Sequence, residues 1–226
     1  MKIRFVSTRS VKRFWEMVDH INHKLTGVER MALVVGECGL GKSETALKYS
    51  AENRAIMVRT IELMTGCWLL RKIVYELGGA PAHSAEKNID MIGQLIWKSS
   101  KPRVIIIDEA DRFAYKPALL ETLRDLHDLY HVPVILIGED GAEKKLMANR
   151  RLYRRFVDIL HFEKLDTEGV KQFLCEVSDI RFEVGAVERI SRESTGKISE
   201  IITVIHRMEN WAKRNNAKSV GVKDLT

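Results

Sequence analysis

Cysteine is scarce in this chain: Cys38, Cys67 and Cys175 are the three among 226 residues. They form no CxxC pair and have no histidine cluster beside them, so the sequence argues for reduced thiols and against a disulfide framework or a zinc module. Long apolar runs are missing as well. No window approaches the roughly 20 apolar residues of a membrane span, and residues 1–10 alternate charged with apolar groups instead of building a signal-peptide core. A cytoplasmic protein with no membrane partner is the expectation. Internal repeats and low-complexity tracts are also lacking. What is present is ordinary for a globular chain: 45% hydrophobic and 30% charged residues, in a length that can bury one large domain or a core with a small appendage. Lys and Arg number 37 against 31 Asp and Glu, and the net charge of +6 suits a polyanionic partner as well as a merely solvated surface.

The most informative stretch is residues 31–50, MALVVGECGLGKSETALKYS. Its first five residues are wholly apolar, which predicts a short strand buried on both faces. The strand breaks directly into Gly36-Glu37-Cys38-Gly39-Leu40-Gly41-Lys42-Ser43, the pattern G-x-x-x-x-G-K-[ST] between a strand and a helix. The glycines let successive backbone N–H groups point inward at an anion, and the helix that starts near Lys42 adds the positive end of its dipole. A polyphosphate is the natural occupant, with residues Gly36 to Ser43 and the following Glu44 as its surroundings. Lys42 is placed to reach the β- and γ-phosphates and the Ser43 hydroxyl to ligate Mg²⁺. A glycine-rich turn with an incidental lysine is the competing reading, and the full match in strand–loop–helix context outweighs it.

Elsewhere the chain alternates helical and strand patterns. Residues 10–26 carry apolar groups at Val11, Phe14, Trp15, Val18, Ile21 and Leu25, a helical spacing with Ser10 as N-cap candidate. Further strands are expected at 55–61, 103–108, 133–137 and 157–162, and helices at 65–77, 84–98, 117–130 and 141–153. Such alternation implies a parallel, doubly wound α/β sheet of five strands, whose ligand site lies at the carboxyl ends of the strands. From Asp166 onward only helices are expected, at 167–176, 184–193 and 198–213. We therefore expect a core over residues 1–165 that includes the N-terminal helix, and a small helical lid over 166–226. Trp15, Trp68, Trp97 and Trp211 fall on apolar helical faces and read as core.

Val104 to Ile107 are four aliphatics followed by Asp108 and Glu109 at a strand end. Asp108 is placed to hold Mg²⁺, since hard cations want carboxylate oxygens. Glu109, one residue on, can orient and deprotonate the water that attacks a γ-phosphate. Loop and acids together specify an ATPase. Asp108-Glu109-Ala110-Asp111 also spells the DEAD box, but helicases of that kind need two similar ATPase domains and this chain has room for one. An arginine that neutralises charge on the γ-phosphate improves such a site. The run from Asn149 to Phe156 supplies Arg150, Arg151, Arg154 and Arg155, with Arg151, Arg154 and Arg155 the finger candidates, presumed to serve a neighbouring copy's ATP. A solvated basic face and DNA contact are the other readings of that run.

These residues resemble the AAA+ superfamily of P-loop NTPases: the Gly36 to Ser43 loop, Asp108-Glu109, a five-strand core, Arg-Phe before the last strand and a helical C-terminal lid. Within it the chain looks most like the transposition target-DNA-binding ATPases of the Mu B type and related transposition regulators. The entry Phe5-Val6-Ser7-Thr8, Ala46-Leu47-Lys48-Tyr49 after the loop, and Thr195-Gly196-Lys197-Ile198-Ser199-Glu200-Ile201-Ile202 in the lid carry that likeness. The resemblance implies ATP and Mg²⁺ as cofactors, sequence-non-specific binding of double-stranded DNA, self-assembly into a ring or filament, and a transposase as partner. It also implies a first sensor, which falls at Gly138-Glu139, and a second sensor in the lid, where Lys197 stands in place of an arginine. The group's N-terminal helix-turn-helix has no counterpart here, so DNA contact is expected from the core itself. Arg112, Lys116, Lys144, Lys145 and Arg150 are the candidates, each weighed against a solvated surface charge. A replication initiator or helicase loader, a secretion-associated ATPase, and a nucleotide-gated protein-interaction switch without DNA are the alternatives.

Overall fold

The structure, a computed structural model, describes residues 5–23, 29–99, 103–147 and 153–225. Five strands form one parallel sheet: β1 (Met31–Val35), β2 (Ile56–Arg59), β3 (Ile105–Asp108), β4 (Val134–Ile137) and β5 (Phe156–His161), in the order β2-β3-β4-β1-β5. Every residue of β1, β3 and β4 is buried. Strands this short and apolar, but for the closing Asp108, form only where both faces are covered, and their side chains divide by parity. Met31, Leu33, Val35, Ile105, Ile107, Val134 and Leu136 join one apolar cluster. That cluster is completed by helices α3 (Gly66–Glu76), α4 (Ala85–Trp97), α5 (Pro117–Tyr130) and α6 (Asp140–Met147).

The opposite parity is represented by Ala32, Val34, Ile106 and Ile135, all fully buried outside that cluster. Helices α1 (Arg9–Asn22) and α2 (Lys42–Asn53) supply aromatic packing of their own: Phe14 meets Tyr49 and Phe162 edge to face, at centroid distances of 5.9 and 6.4 Å. Helices on both faces make the fold a doubly wound α/β P-loop NTPase core. The edge strands are less enclosed: β5 is largely exposed, and β2 ends on the exposed Arg59.

The chain divides into two compact units. The larger holds Arg13–Glu37 and Lys42–Phe162; the smaller holds Glu163–Thr226, the loop tip Cys38–Gly41, and Lys12 with the described residues before it. The smaller unit is built from α7 (Thr167–Val177), α8 (Val184–Glu193) and α9 (Ile198–Asn215). The Asp166 carboxylate caps α7 by accepting from the Gly169 N–H at 2.7 Å. Its core is Val170, Phe173, Leu174, Val187, Ile190, Ile201, Ile205 and Met208, with Val6 from the N-terminal segment.

Three expectations need correction. The lid is not purely helical: β6 (Arg181–Phe182) pairs in parallel with β7 (Ser219–Val220), and two residues per strand are too few to leave a periodic pattern. Trp97 and Trp68 are not core, with 83% and 38% of their surface exposed. The first helix ends at Asn22, and of the helices expected over 10–26 and 141–153, residues 24–26 and 148–152 lie outside the described residues. Among the described residues no helix is long and apolar enough to cross a membrane.

Candidate active site

The loop after β1 turns where Gly39 and Gly41 both adopt φ of +85°, in the left-handed region that side chains disfavour. Leu40 between them is buried, which fixes the loop to the protein. Because α2 starts at Lys42, the N–H groups of its first turn have no intrahelical partner and face the loop. The Lys42 ammonium is itself buried and folds back over the loop, donating to the Gly36 carbonyl at 2.5 Å and the Glu37 carbonyl at 2.8 Å. Backbone donors, a dipole end and an ammonium thus converge within one eight-residue turn.

Asp108 closes β3 and is 3% exposed. Its Oδ1 accepts from the Ser43 hydroxyl at 3.1 Å and from the Glu109 N–H at 3.0 Å. Its Oδ2 is buried and has no hydrogen-bond partner among the described residues. A buried carboxylate oxygen left unmatched costs desolvation energy with nothing to offset it. Beside the Ser43 hydroxyl, that donor set is all oxygen, and it fits a hard divalent cation such as Mg²⁺.

Glu109 follows in a left-handed conformation, φ 61° and ψ 36°, at the start of a 3₁₀ turn over Ala110–Tyr115. A non-glycine residue there is strained by about 1–2 kcal/mol and persists because neighbours hold it. Thr60 Oγ1 donates to the Glu109 carbonyl at 2.8 Å, and the Glu109 N–H is taken by Asp108. The side chain is held too: Arg59 Nη2 donates to Oε1 at 2.7 Å, and Arg112 Nη2 lies 3.6 Å from Oε2. The hydrogen bond to Glu109, then its charge and that of Asp108, raise the pKa of the Arg59 guanidinium. Arg59 reaches this position because β2 pairs with β3 in a register that sets it opposite Asp108. Neither Arg59 nor Thr60 was singled out in the sequence; only the order of strands reveals them.

In the smaller unit the loop tip is packed against the start of α9. The Ser199 N–H donates to the Gly39 carbonyl at 3.1 Å, and a Cβ on Gly39 would lie 2.2 Å from Ser199 Oγ. A Cβ on Gly41 would lie 3.3 Å from Ile198 Cδ1. Lys197, the N-cap of α9, is therefore two residues from a direct contact with the glycine-rich loop.

The remaining candidates scatter. Arg112 joins Glu109, as above, and Lys116 lies 3.8 Å from Glu62. Lys144 and Lys145 are exposed on the last turn of α6, and Glu139 is exposed before it. Arg150 and Arg151 lie outside the described residues. Arg154 is exposed. Arg155 is engaged within the chain, donating to Glu29 Oε1 at 2.5 Å and Asp128 Oδ2 at 3.2 Å. Buried His127 backs the same cluster, its ring between the Val132 carbonyl at 3.0 Å and Glu29 Oε2 at 3.2 Å.

A family profile described as an AAA domain matches residues 26–146. The ATP-dependent target DNA activator B of Escherichia phage Mu is 29% identical over 152 residues, covering 66% of this chain and 46% of that protein. The chain thus spans about half the length of the curated relative it matches. Its fold resembles that of the Aeropyrum pernix ORC2 protein in ADPNP–ADP complexes, with a TM-score of 0.74, 15% identity, and coverage of 98% of this chain and 67% of that one. The Aeropyrum pernix ORC1 protein in complex with DNA gives 0.70 and 14%, covering 100% of this chain and 65% of its own. The Thermotoga maritima RuvB Holliday junction branch migration motor gives 0.62 and 18%, with 96% and 66% covered. At these identities the structural likeness speaks of fold alone.

Proposed function

The chain belongs to the AAA domain family, and from that premise we propose that it is an ATP hydrolase whose nucleotide state controls its hold on duplex DNA, acting as a selector or activator of target DNA in transposition. The observation that carries the reading is the constellation of Lys42, Ser43, Asp108 and Glu109. An ammonium and N–H groups sit in the loop, a hydroxyl and a buried unmatched carboxylate oxygen stand beside it, and a second carboxylate follows one residue on. Bound Mg²⁺–ATP supplies the reacting γ-phosphoryl group and the cation that neutralises its developing charge. Ser43 and Asp108 hold that cation, while Lys42 leaves the carbonyls of its own loop for the phosphates. Glu109 orients water and accepts its proton. While Arg59 grips the Glu109 carboxylate, the base is held off its task, so release of that ion pair is a step in turnover.

The role in transposition is supported by the 29% identity to the phage Mu target DNA activator B, and DNA as polyanionic partner by the net charge of +6. Self-assembly as a ring or filament follows if an arginine of one copy completes the site of the next. Arg154 is exposed and available for that role, as is Arg151 by sequence, whereas Arg155 is tied to Glu29 and Asp128. A transposase is the partner that such an assembly would engage. The experiment is phosphate release from ATP with and without duplex DNA. Hydrolysis that DNA alters supports the reading, and a chain that hydrolyses ATP at one rate regardless, without binding duplex, removes its DNA half.

A further inference from the structure

Of the four tryptophans, Trp68 stands at the mouth of a groove of about 440 Å³ on the outward side of α3, lined also by Thr65, Arg71, Lys72, Tyr75 and Pro81. Trp68, Arg71, Lys72 and Tyr75 occur at helical positions i, i+3, i+4 and i+7, so one face presents a ring, two cations and a second ring. Tyr75 is 65% exposed. Among the described residues no carboxylate lines the groove. The contrast with α5 is informative, since Arg124 there is surrounded by Glu121, Asp125 and Asp128. A solvated charged face accounts for Arg71 and Lys72 but leaves two exposed rings unexplained. A core role accounts for neither the exposure nor the cations.

We propose that this groove binds unpaired nucleotides, a single-stranded or locally opened stretch of nucleic acid. Every base offers a π-face to an aromatic ring, and phosphates between successive bases seek cations, which is the alternation that α3 displays. The two rings are separated by seven residues, about 10 Å of helix axis, which is about the length of three stacked nucleotides. A paired duplex does not fit this chemistry, because its bases already stack on one another and offer their faces to no side chain. The proposal rests on the preceding section only in taking nucleic acid as the partner class; the duplex contact and the groove are separate surfaces with separate tests.

The test is fluorescence anisotropy of the full chain, with ATP and Mg²⁺, on a labelled oligo-dT of about 20 nucleotides and on a duplex of equal length. Wild type binds both. The double variant Trp68→Leu/Tyr75→Leu weakens oligo-dT binding by about tenfold or more and leaves duplex binding within about twofold. Trp68→Phe, which keeps a ring, retains most of the affinity, and Arg71→Gln/Lys72→Gln flattens the salt dependence on oligo-dT. Unchanged nucleotide binding in each variant shows that the fold survives. Equal oligo-dT affinity in wild type and the ring-less variant overturns the proposal. So does wild-type duplex binding without oligo-dT binding, which leaves the proposed function standing. Binding to neither probe removes both. Displacement of oligo-dT by an acidic, aromatic-bearing peptide at lower concentration than by unlabelled oligo-dT also overturns it, and makes the groove a peptide dock.

Discussion

Arg59 and Glu109 lie fifty residues apart in sequence and 2.7 Å apart in space, donor to carboxylate, at the ends of two adjacent strands. The same glutamate is held by its backbone to Asp108 and Thr60, in a left-handed conformation. The backbone of Glu109 is thus fixed, while its carboxylate is held by two arginines at the surface, of which Arg59 is the closer and the more exposed, at 68% accessible. An exposed pair of this kind breaks at little cost, which suits it to a reversible restraint.

Replacing that restraint is the first prediction. Arg59→Gln leaves the Glu109 carboxylate with the looser Arg112 contact at 3.6 Å, and basal phosphate release without DNA rises several-fold. A fall instead identifies Arg59 as a residue that stabilises the reacting phosphoryl group.

Glu109→Gln keeps the shape and removes the proton acceptor. ATP binding, measured by titration calorimetry, stays within about threefold of wild type, while hydrolysis falls by about 10²-fold or more. Turnover at the wild-type rate is incompatible with Glu109 as the base.

Asp108→Asn leaves the Ser43 contact feasible but removes the carboxylate charge of the cation pocket. Nucleotide affinity in the presence of Mg²⁺ drops toward its value in EDTA, so the ratio of the two approaches one. Wild type should show a clear Mg²⁺ dependence.

Gly39→Ala meets two obstacles at once, a φ of +85° and Ser199 Oγ at 2.2 Å from the new Cβ. The backbone alone costs about 1–2 kcal/mol, so melting should come several degrees earlier, with weaker nucleotide binding. Adding Ser199→Ala recovers only part of the loss, since the conformational cost remains. Full recovery shows that crowding was the whole effect.

The arginine run is resolved by mixing. If Arg154 acts on a neighbouring copy's ATP, Arg154→Ala and Lys42→Ala are each inactive alone, and their mixture regains hydrolysis as complete sites form between unlike copies. Arg155→Ala costs about 1 kcal/mol or less of stability, since its side chain is 34% exposed and its loss leaves Glu29 and Asp128 on a half-solvated surface.

Much of this architecture could be read in the residues themselves. Met31–Val35, Ile105–Asp108 and Val134–Ile137 are short, apolar but for the closing Asp108, and buried on both faces, which is the clearest pattern a parallel strand can leave. The glycine-rich loop and the Asp108-Glu109 pair stand out as plainly, because each is a run of adjacent residues. What depends on long-range pairing was not legible. Arg59 meets Glu109 only through the β2–β3 register, and Arg155 meets Glu29 across 126 residues. Apolar spacing placed Trp68 and Trp97 on helical faces, but whether another element covers a face is a property of the packing. Paired strands of two residues, such as β6 and β7, have no period to detect.

The central claim is that a magnesium–triphosphate held by Lys42, Ser43 and Asp108 governs attachment to DNA. Anisotropy of a labelled duplex, titrated with the chain in ATP–Mg²⁺, in ADP–Mg²⁺ and without nucleotide, tests it most directly, with Lys42→Ala as control. The account predicts tight, salt-sensitive binding with ATP–Mg²⁺ alone, abolished in Lys42→Ala; equal affinity in all three states, or in the variant, contradicts it.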